Sequence, residues 1–205
     1  MRHMYLARTP SIARALYGSR LWRVDGADRS VCLTFDDGPI PEVTPWVLDQ
    51  LRAYNAQATF FCIGKNIEAH PGIFADVKAA GHTIGNHTWD HCNGRHTPTA
   101  EYMASVVRCQ ALTGTELFRP PYGRLTREQA GALAADFRIV MWSVLSGDFD
   151  VRIDAERCTR NVLKHTEPGS IVVFHDSVKA WPRLRDTLPK VLEHFAALGY
   201  AFKGL

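Results

Sequence analysis

The feature that most constrains the fold is an alternation. A short apolar run, a polar or Gly/Pro break and a stretch with apolar residues at helical spacing recur about seven times along the 205 residues. The runs Val31-Cys32-Leu33, Ala58-Thr59-Phe60-Phe61-Cys62-Ile63, His82-Thr83-Ile84, Leu117-Phe118, Arg138-Ile139-Val140-Met141-Trp142 and Ser170-Ile171-Val172-Val173-Phe174 read as strands, with Tyr200-Ala201-Phe202 as a last one. Helices are predicted between them. One starts at a Thr44 cap with Pro45 in its first position and Val47, Leu48 and Leu51 as its apolar stripe. Another runs from an Asn66 cap through residue 80, with Ile67, Phe74 and Val77 inward and Gly81 as its stop. A third covers 99–111 with Met103, Val106 and Val107 inward, and a fourth follows a Thr126/Gln129 capping box. The last two run from an Asp154 cap to about His165 and from about Leu184 to Leu198. Strands alternating with helices specify a parallel α/β protein.

The unusual polar residues follow the strands: Asp36-Asp37, His87 and His91, Arg119, Asp148 and His175. An open doubly wound sheet gathers its site at one switch point, whereas a parallel barrel brings the C-terminal ends of all its strands to one face. Polar groups behind five different strands favour the barrel.

Composition narrows the function classes. The length suits one domain with a sizeable core. A net charge of +3 gives no case for nucleic acid, and no run of 18 apolar residues reads as a transmembrane span. The five cysteines are odd in number, scattered and free of any Cys-x-x-Cys pair, which favours reduced thiols in an intracellular protein. Residues 1–24 carry Arg2, Arg8, Arg14, Arg20 and Arg23 with no apolar stretch between them, unlike a secretory signal, so a cytoplasmic location is expected. The expected organisation is an N-terminal arm, 1–29, packed on one catalytic domain, 30–205. Tyr5, Leu6, Ile12, Leu16, Leu21 and Trp22 are the arm's expected buried contacts. Nothing in the sequence fixes an oligomeric state.

Asp36 and Asp37 pose a problem of charge. Consecutive strand residues face opposite ways, so both reach one site only at a bent strand end, which Gly38-Pro39 supplies. Two carboxylates that close repel unless a cation neutralises them. His87 and His91 are four apart, a spacing that in a helical turn puts both imidazoles on one side. Two histidines and one carboxylate make a three-ligand metal site with an open position for water. One Asp then ligates, and the other stays ionised as a base; spacing alone permits either assignment. His175 stands at a strand tip, where Asp148 can orient it from the side. Arg119 sits on a loop stiffened by Pro120-Pro121, where its guanidinium fork can hold a carboxylate. Zinc is the default metal, and cobalt, nickel, iron(II) or manganese suit the same donors. Cys92, beside His91, reads as packing rather than as an additional ligand.

These stretches in order resemble the five motifs of the polysaccharide deacetylases, carbohydrate esterase family 4. The motifs are Thr34-Phe35-Asp36-Asp37-Gly38-Pro39, His87-Thr88-Trp89-Asp90-His91, Arg119-Pro120-Pro121-Tyr122-Gly123, the segment from Trp142 through Phe149, and Val173-Phe174-His175. The resemblance implies a distorted (β/α) barrel with seven or eight βα units. It implies Asp36 as catalytic base, Asp37, His87 and His91 as metal ligands and Arg119 as the residue orienting Asp36. It also implies the Tyr122 backbone N–H as an oxyanion donor and His175 as general acid, tuned by Asp148. The implied reaction is removal of N-acetyl groups from a carbohydrate carrying N-acetylhexosamine. O-acetyl ester or cyclic imide hydrolysis, or carbohydrate binding without turnover, are the other readings. Two departures stand out. Leu145 and Phe149 occupy the fourth motif where the family has a carboxylate and a Trp, and Val173 occupies the fifth where it has Leu.

Overall fold

The computed structural model describes residues 5–26 and 29–205, so the ends of the predicted arm, 1–4 and 27–28, lie outside the described residues. In chain order the elements are α1 (Ser11–Leu16), β1 (Ser30–Asp36), α2 (Thr44–Ala53), β2 (Thr59–Cys62), α3 (Gly64–Ala69), α4 (Pro71–Ala79), β3 (Thr83–Asn86) and α5 (Thr99–Thr113). They continue with β4 (Leu117–Phe118), a 3-10 turn at Pro121–Gly123, α6 (Arg127–Leu133), β5 (Arg138–Ile139), β6 (Val144–Leu145), α7 (Ala155–His165), β7 (Ile171–His175), α8 (Trp181–Ala197) and β8 (Ala201–Phe202).

Seven strands form one parallel sheet in the order β5-β4-β3-β2-β1-β7-β6, and β8 pairs in parallel with Ser30 and Val31 at the start of β1. β1 lies at the centre and every one of its residues is buried, as its apolar run requires. The sheet curls into a half-barrel because its two edges are adjacent in sequence: only residues 140–143 separate β5 from β6. No helix fits in so short a link, and the strand expected over 138–142 therefore stops at Ile139. Beyond it Met141 donates its backbone N–H to Leu21 O at 2.7 Å instead of extending the sheet.

The N-terminal arm fills the gap. Leu21 bridges Val140, Arg23 bridges Ser170, and Arg8 bridges Val144 on the outer edge of β6. Backbone pairing rather than side-chain burial fastens it. Trp22 is buried, but Leu6, Ile12 and Leu16 are exposed, against the expectation that they would be buried contacts.

The main core lies between the sheet and its helices, with Val47, Leu48 and Leu51 of α2 and Leu184, Leu188, Val191 and Leu192 of α8 facing Leu33, Phe35, Phe60 and Phe174. Burying each such side chain is worth about 1.5–3 kcal/mol. Four helix readings need correction. The helix expected from Asn66 to residue 80 is two helices, because Pro71 forces His70 out of the helical region, to φ −133°. α5 buries Tyr102, Val106 and Cys109 and leaves Val107 exposed, since Tyr102 packs edge-on against Phe118 and sets the helix rotation. Thr44 is the first residue of α2 rather than its cap, and its hydroxyl accepts from the Ile40 N–H and donates to Asp176. α8 begins at Trp181, with Pro182 in its first turn, one turn earlier than expected. The Thr126/Gln129 capping box and the Asp154 cap are present as expected.

Close sheet packing makes Gly85 obligatory: a Cβ there meets Phe61 Cδ1 at 2.3 Å. Gly85→Ala is expected to cost about 1–3 kcal/mol through overpacking, measured as a lowered urea midpoint at unchanged slope.

Candidate metal centre and active site

Parallel strands leave all C-terminal ends on one face, and the register places Asp36 level with His175 on β7 and Phe61 on β2. Asp37 follows with φ +87°, a left-handed conformation that reverses the usual alternation. Two contacts hold that turn: Asn66 Nδ2 donates to Asp37 O at 2.6 Å, and Asp37 N–H donates to Phe61 O at 3.3 Å. Asn66 thus anchors the motif instead of capping a helix.

Behind the turn lies Asp176, a residue that sequence reasoning missed. Its buried carboxylate accepts from Gly38 N–H at 3.0 Å and from Thr44 Oγ1 at 2.6 Å. Only glycine fits at position 38, where a Cβ would lie 1.9 Å from Asp176 Oδ2. Burial pushes the Asp176 carboxyl up to about 8, against the pull of those two donors. Its adjacency to His175 was visible in the sequence, but the partners 132 and 138 residues away were not.

Residues 87–91 form a loop, not the helical turn that the spacing suggested. Thr88 has φ +64° and His91 φ +58°. The N–H groups opening α3 hold this loop, Gly64 donating to Thr88 O at 3.0 Å and Lys65 to Trp89 O at 2.9 Å. The imidazoles still converge. His87 Nε2 and His91 Nε2 lie 3.7 Å and 3.3 Å from Asp37 Oδ1. His87 Nδ1 is 2.8 Å from Arg119 O and donates to it, which leaves Nε2 as the lone-pair nitrogen facing Asp37.

The residues fit a divalent cation. The three ligand atoms lie within 4.8 Å of one another. Asp37 Oδ1 is buried without a hydrogen-bond partner, an arrangement that costs free energy unless an ion completes it. Burial lowers His87 to about 4 and also lowers His91, so both rings are neutral and able to ligate. Burial alone would raise Asp37, but the charge of His175 above all, with the neighbouring His87 and His91 imidazoles and the Ser177 hydroxyl, brings it below the ordinary carboxylate range. Cys92 is not part of this group and packs against the cluster under α5 and α6.

Arg119 and Asp36 form a buried pair, Nη1 to Oδ1, at 2.6 Å. The same Nη1 reaches Thr34 Oγ1 at 2.7 Å, Nη2 donates to Met141 O at 3.0 Å, and the guanidinium lies 4.0 Å over the Phe61 ring. His175 Nδ1 and backbone N–H each meet an oxygen of Asp148 at 2.8 Å. Burial would lower the His175 imidazole, but the Asp148 charge and hydrogen bond raise it to about 9. Tyr122 is exposed, adopts φ +59° and sets its ring 4.6 Å from that of His91. Phe149 lies 5.2 Å from the His175 ring, and the Tyr5 ring of the arm lies tilted against Phe149 at 5.0 Å. All eight residues singled out in the sequence thus belong to one face, and Asp37, His87 and His91 converge there on a single point.

A sequence profile described as polysaccharide deacetylase matches residues 23–140. A peptidoglycan-N-acetylglucosamine deacetylase of Bacillus cereus is 38% identical over 154 residues, covering 72% of this chain and 56% of the relative, so the chain spans about half the relative's length. A chitooligosaccharide deacetylase of Azorhizobium caulinodans is 37% identical over 163 residues, covering 75% of this chain and 77% of that one. The crystal structure of the Bc1960 peptidoglycan N-acetylglucosamine deacetylase superposes with a TM-score of 0.86 at 33% identity, covering 96% of this chain and 95% of that one.

The two aspartates are expected to separate in a metal titration. Asp37→Asn, like His87→Ala, should weaken zinc binding at least about 100-fold in a chromophoric-chelator competition, whereas Asp36→Asn should stay within about threefold of wild type.

Proposed function

Because this chain belongs to the polysaccharide deacetylase family, we propose that it is a metal-dependent hydrolase that removes the acetyl group from N-acetylhexosamine units of an oligo- or polysaccharide. The observation that carries the reading is the buried, partnerless Asp37 Oδ1 between two neutral imidazoles, flanked by an arginine-held carboxylate and a charged histidine.

Each residue's part follows from its surroundings. Asp37, His87 and His91 would hold the cation, with zinc as the proposed metal. The cation would act as a Lewis acid on the acetyl carbonyl and bring the attacking water's pKa toward ~7. Asp36, held by the guanidinium that touches it, takes the proton as water adds to the carbonyl carbon. Arg119 aims that carboxylate and keeps it from rotating, through its bonds to Thr34 and Met141. The Tyr122 backbone N–H donates to the developing oxyanion, a contribution typically worth about 3 kcal/mol. The C–N bond breaks as the His175 imidazolium gives its proton to the departing amine, and acetate and a free amine result. Asp148 accepts from Nδ1, so Nε2 is the nitrogen that delivers the proton.

The test is acetate release by zinc- or cobalt-loaded protein across N-acetylchitooligosaccharides, acetylated xylan and small cyclic imides. Release from the first class with none from the others is expected; turnover of xylan esters or imides alone would overturn the amide assignment.

The acid's pH dependence carries a sign. His175 binds its proton more tightly than a free histidine, so it is competent below its raised pKa and lost as pH rises through it. A cation nearby draws that value down but leaves the Asp148 contribution in place. Asp148→Asn should therefore move the alkaline limb of the kcat profile to lower pH by at least about one unit and leave the acidic limb unchanged, as read from kcat–pH curves.

A further inference from the structure

The mild net charge of +3 conceals a local concentration. A cavity of about 780 Å³ opens between the N-terminal arm and α6, well within the size range of ligand sites. Arg20, Arg95, Arg124 and Arg127 line it, together with Tyr17 and Phe137, and among the described residues no Asp or Glu lines it. Among the described residues, none of these four arginines is within ion-pair distance of a carboxylate, although eight other arginines of this chain are. Tyr17 is held in place: its carbonyl accepts from Trp22 Nε1 at 3.0 Å, and Arg20 stacks 4.5 Å over its ring. The surface continues past Arg20 into a second hollow of about 490 Å³, where Arg14 and Arg138 also lie.

The cavity's position relates it to the metal centre. Arg95 lies four residues after His91, and Arg124 two after Tyr122. At no more than ~3.6 Å per residue, both backbones lie within about 15 Å of those site residues. Met141 lines the cavity, and its carbonyl accepts from Arg119. One wall thus serves both places, and a chain seated at the metal centre has a short path into the cavity.

We propose that this cavity is a second glycan subsite that binds a carboxylate-bearing sugar of the same polymer whose acetamide occupies the metal centre. Guanidinium forks pair bidentately with carboxylates, and the Tyr17 and Phe137 rings give flat apolar faces to a sugar ring. The concave shape and the loops shared with the site favour a glycan over nucleic acid, which calls for an extended basic face. The inference rests on the carbohydrate reading above.

The experiment is calorimetric titration of the zinc-loaded full chain carrying Asp36→Asn, so that binding is read without turnover. The probes are N-acetylchitopentaose and the same pentamer with its C6 hydroxyls oxidised to carboxylates. The carboxylated pentamer is expected to bind at least about tenfold more tightly in 50 mM NaCl, with the gap narrowing in 300 mM. Adding Arg20→Gln, Arg124→Gln and Arg127→Gln should bring the two affinities together, and Arg124→Glu with Arg127→Glu should reverse their order. Equal affinities in the parent, or a preference that survives both sets of substitutions, would overturn the subsite. So would displacement of the carboxylated pentamer by a single-stranded oligouridine of equal charge. The deacetylase reading fails separately, if the unsubstituted protein releases no acetate from the neutral pentamer.

Discussion

The buried contact between Arg119 and Asp36 is the interaction on which the rest of this structure depends. A guanidinium with no solvent exposure loses hydration worth several kcal/mol, and only well-aimed partners offset that loss. Here the partners come from separate parts of the sheet: Thr34 and Asp36 at the end of β1, Met141 in the link after β5, and the face of Phe61 on β2. The Arg119 carbonyl meanwhile fixes the tautomer of His87. A single residue thereby orients Asp36, holds the short link that curls the sheet and aims the His87 imidazole. Removing one member of such a pair typically costs about 3–5 kcal/mol, so stability and site geometry are bound together.

The same contact explains how neighbouring carboxylates divide their labour. Asp36 faces the permanent positive charge of Arg119, a counter-ion that the protein itself supplies. Asp37, turned by its left-handed backbone, faces two imidazoles that burial keeps neutral, so its charge calls for a cation. Asp176, a third carboxylate behind them, faces a backbone amide and a hydroxyl and shapes the turn. Three aspartates within one small volume thus face a guanidinium, a pair of imidazoles and a hydrogen-bonded turn.

The N-terminal arm does more than pack. Backbone bridges to Val140, Val144 and Ser170 close the gap between the sheet edges. Tyr5 reaches Phe149, which borders His175, and its hydroxyl sits over Gly147 at a distance where no Cβ fits. The aromatic wall beside His175 is therefore built partly by the arm, next to the positions where the fourth motif departs from its family. Residues 5–22 precede the family match, whereas Arg95, Arg124 and Arg127 of the cavity lie within it.

The sequence by itself determined the alternation of strands and helices, the parallel barrel and the set of polar residues at the strand ends. These are local properties: apolar runs fix strands, caps and prolines fix helix ends, and a parallel sheet must put its C-terminal ends together. Tertiary structure alone decided which aspartate meets Arg119 and which meets the histidines, because that choice turns on the φ of Asp37 and on partners more than 80 residues apart. It also replaced the helical turn at 87–91 with a loop held by α3, and split the helix at His70-Pro71. Leu6, Ile12 and Leu16 of the arm went to solvent, because backbone bridges do most to fasten it. Asp176 and the cavity arginines escaped notice for one reason: scattered charges acquire meaning only when a fold brings them to one wall and decides which of them find partners.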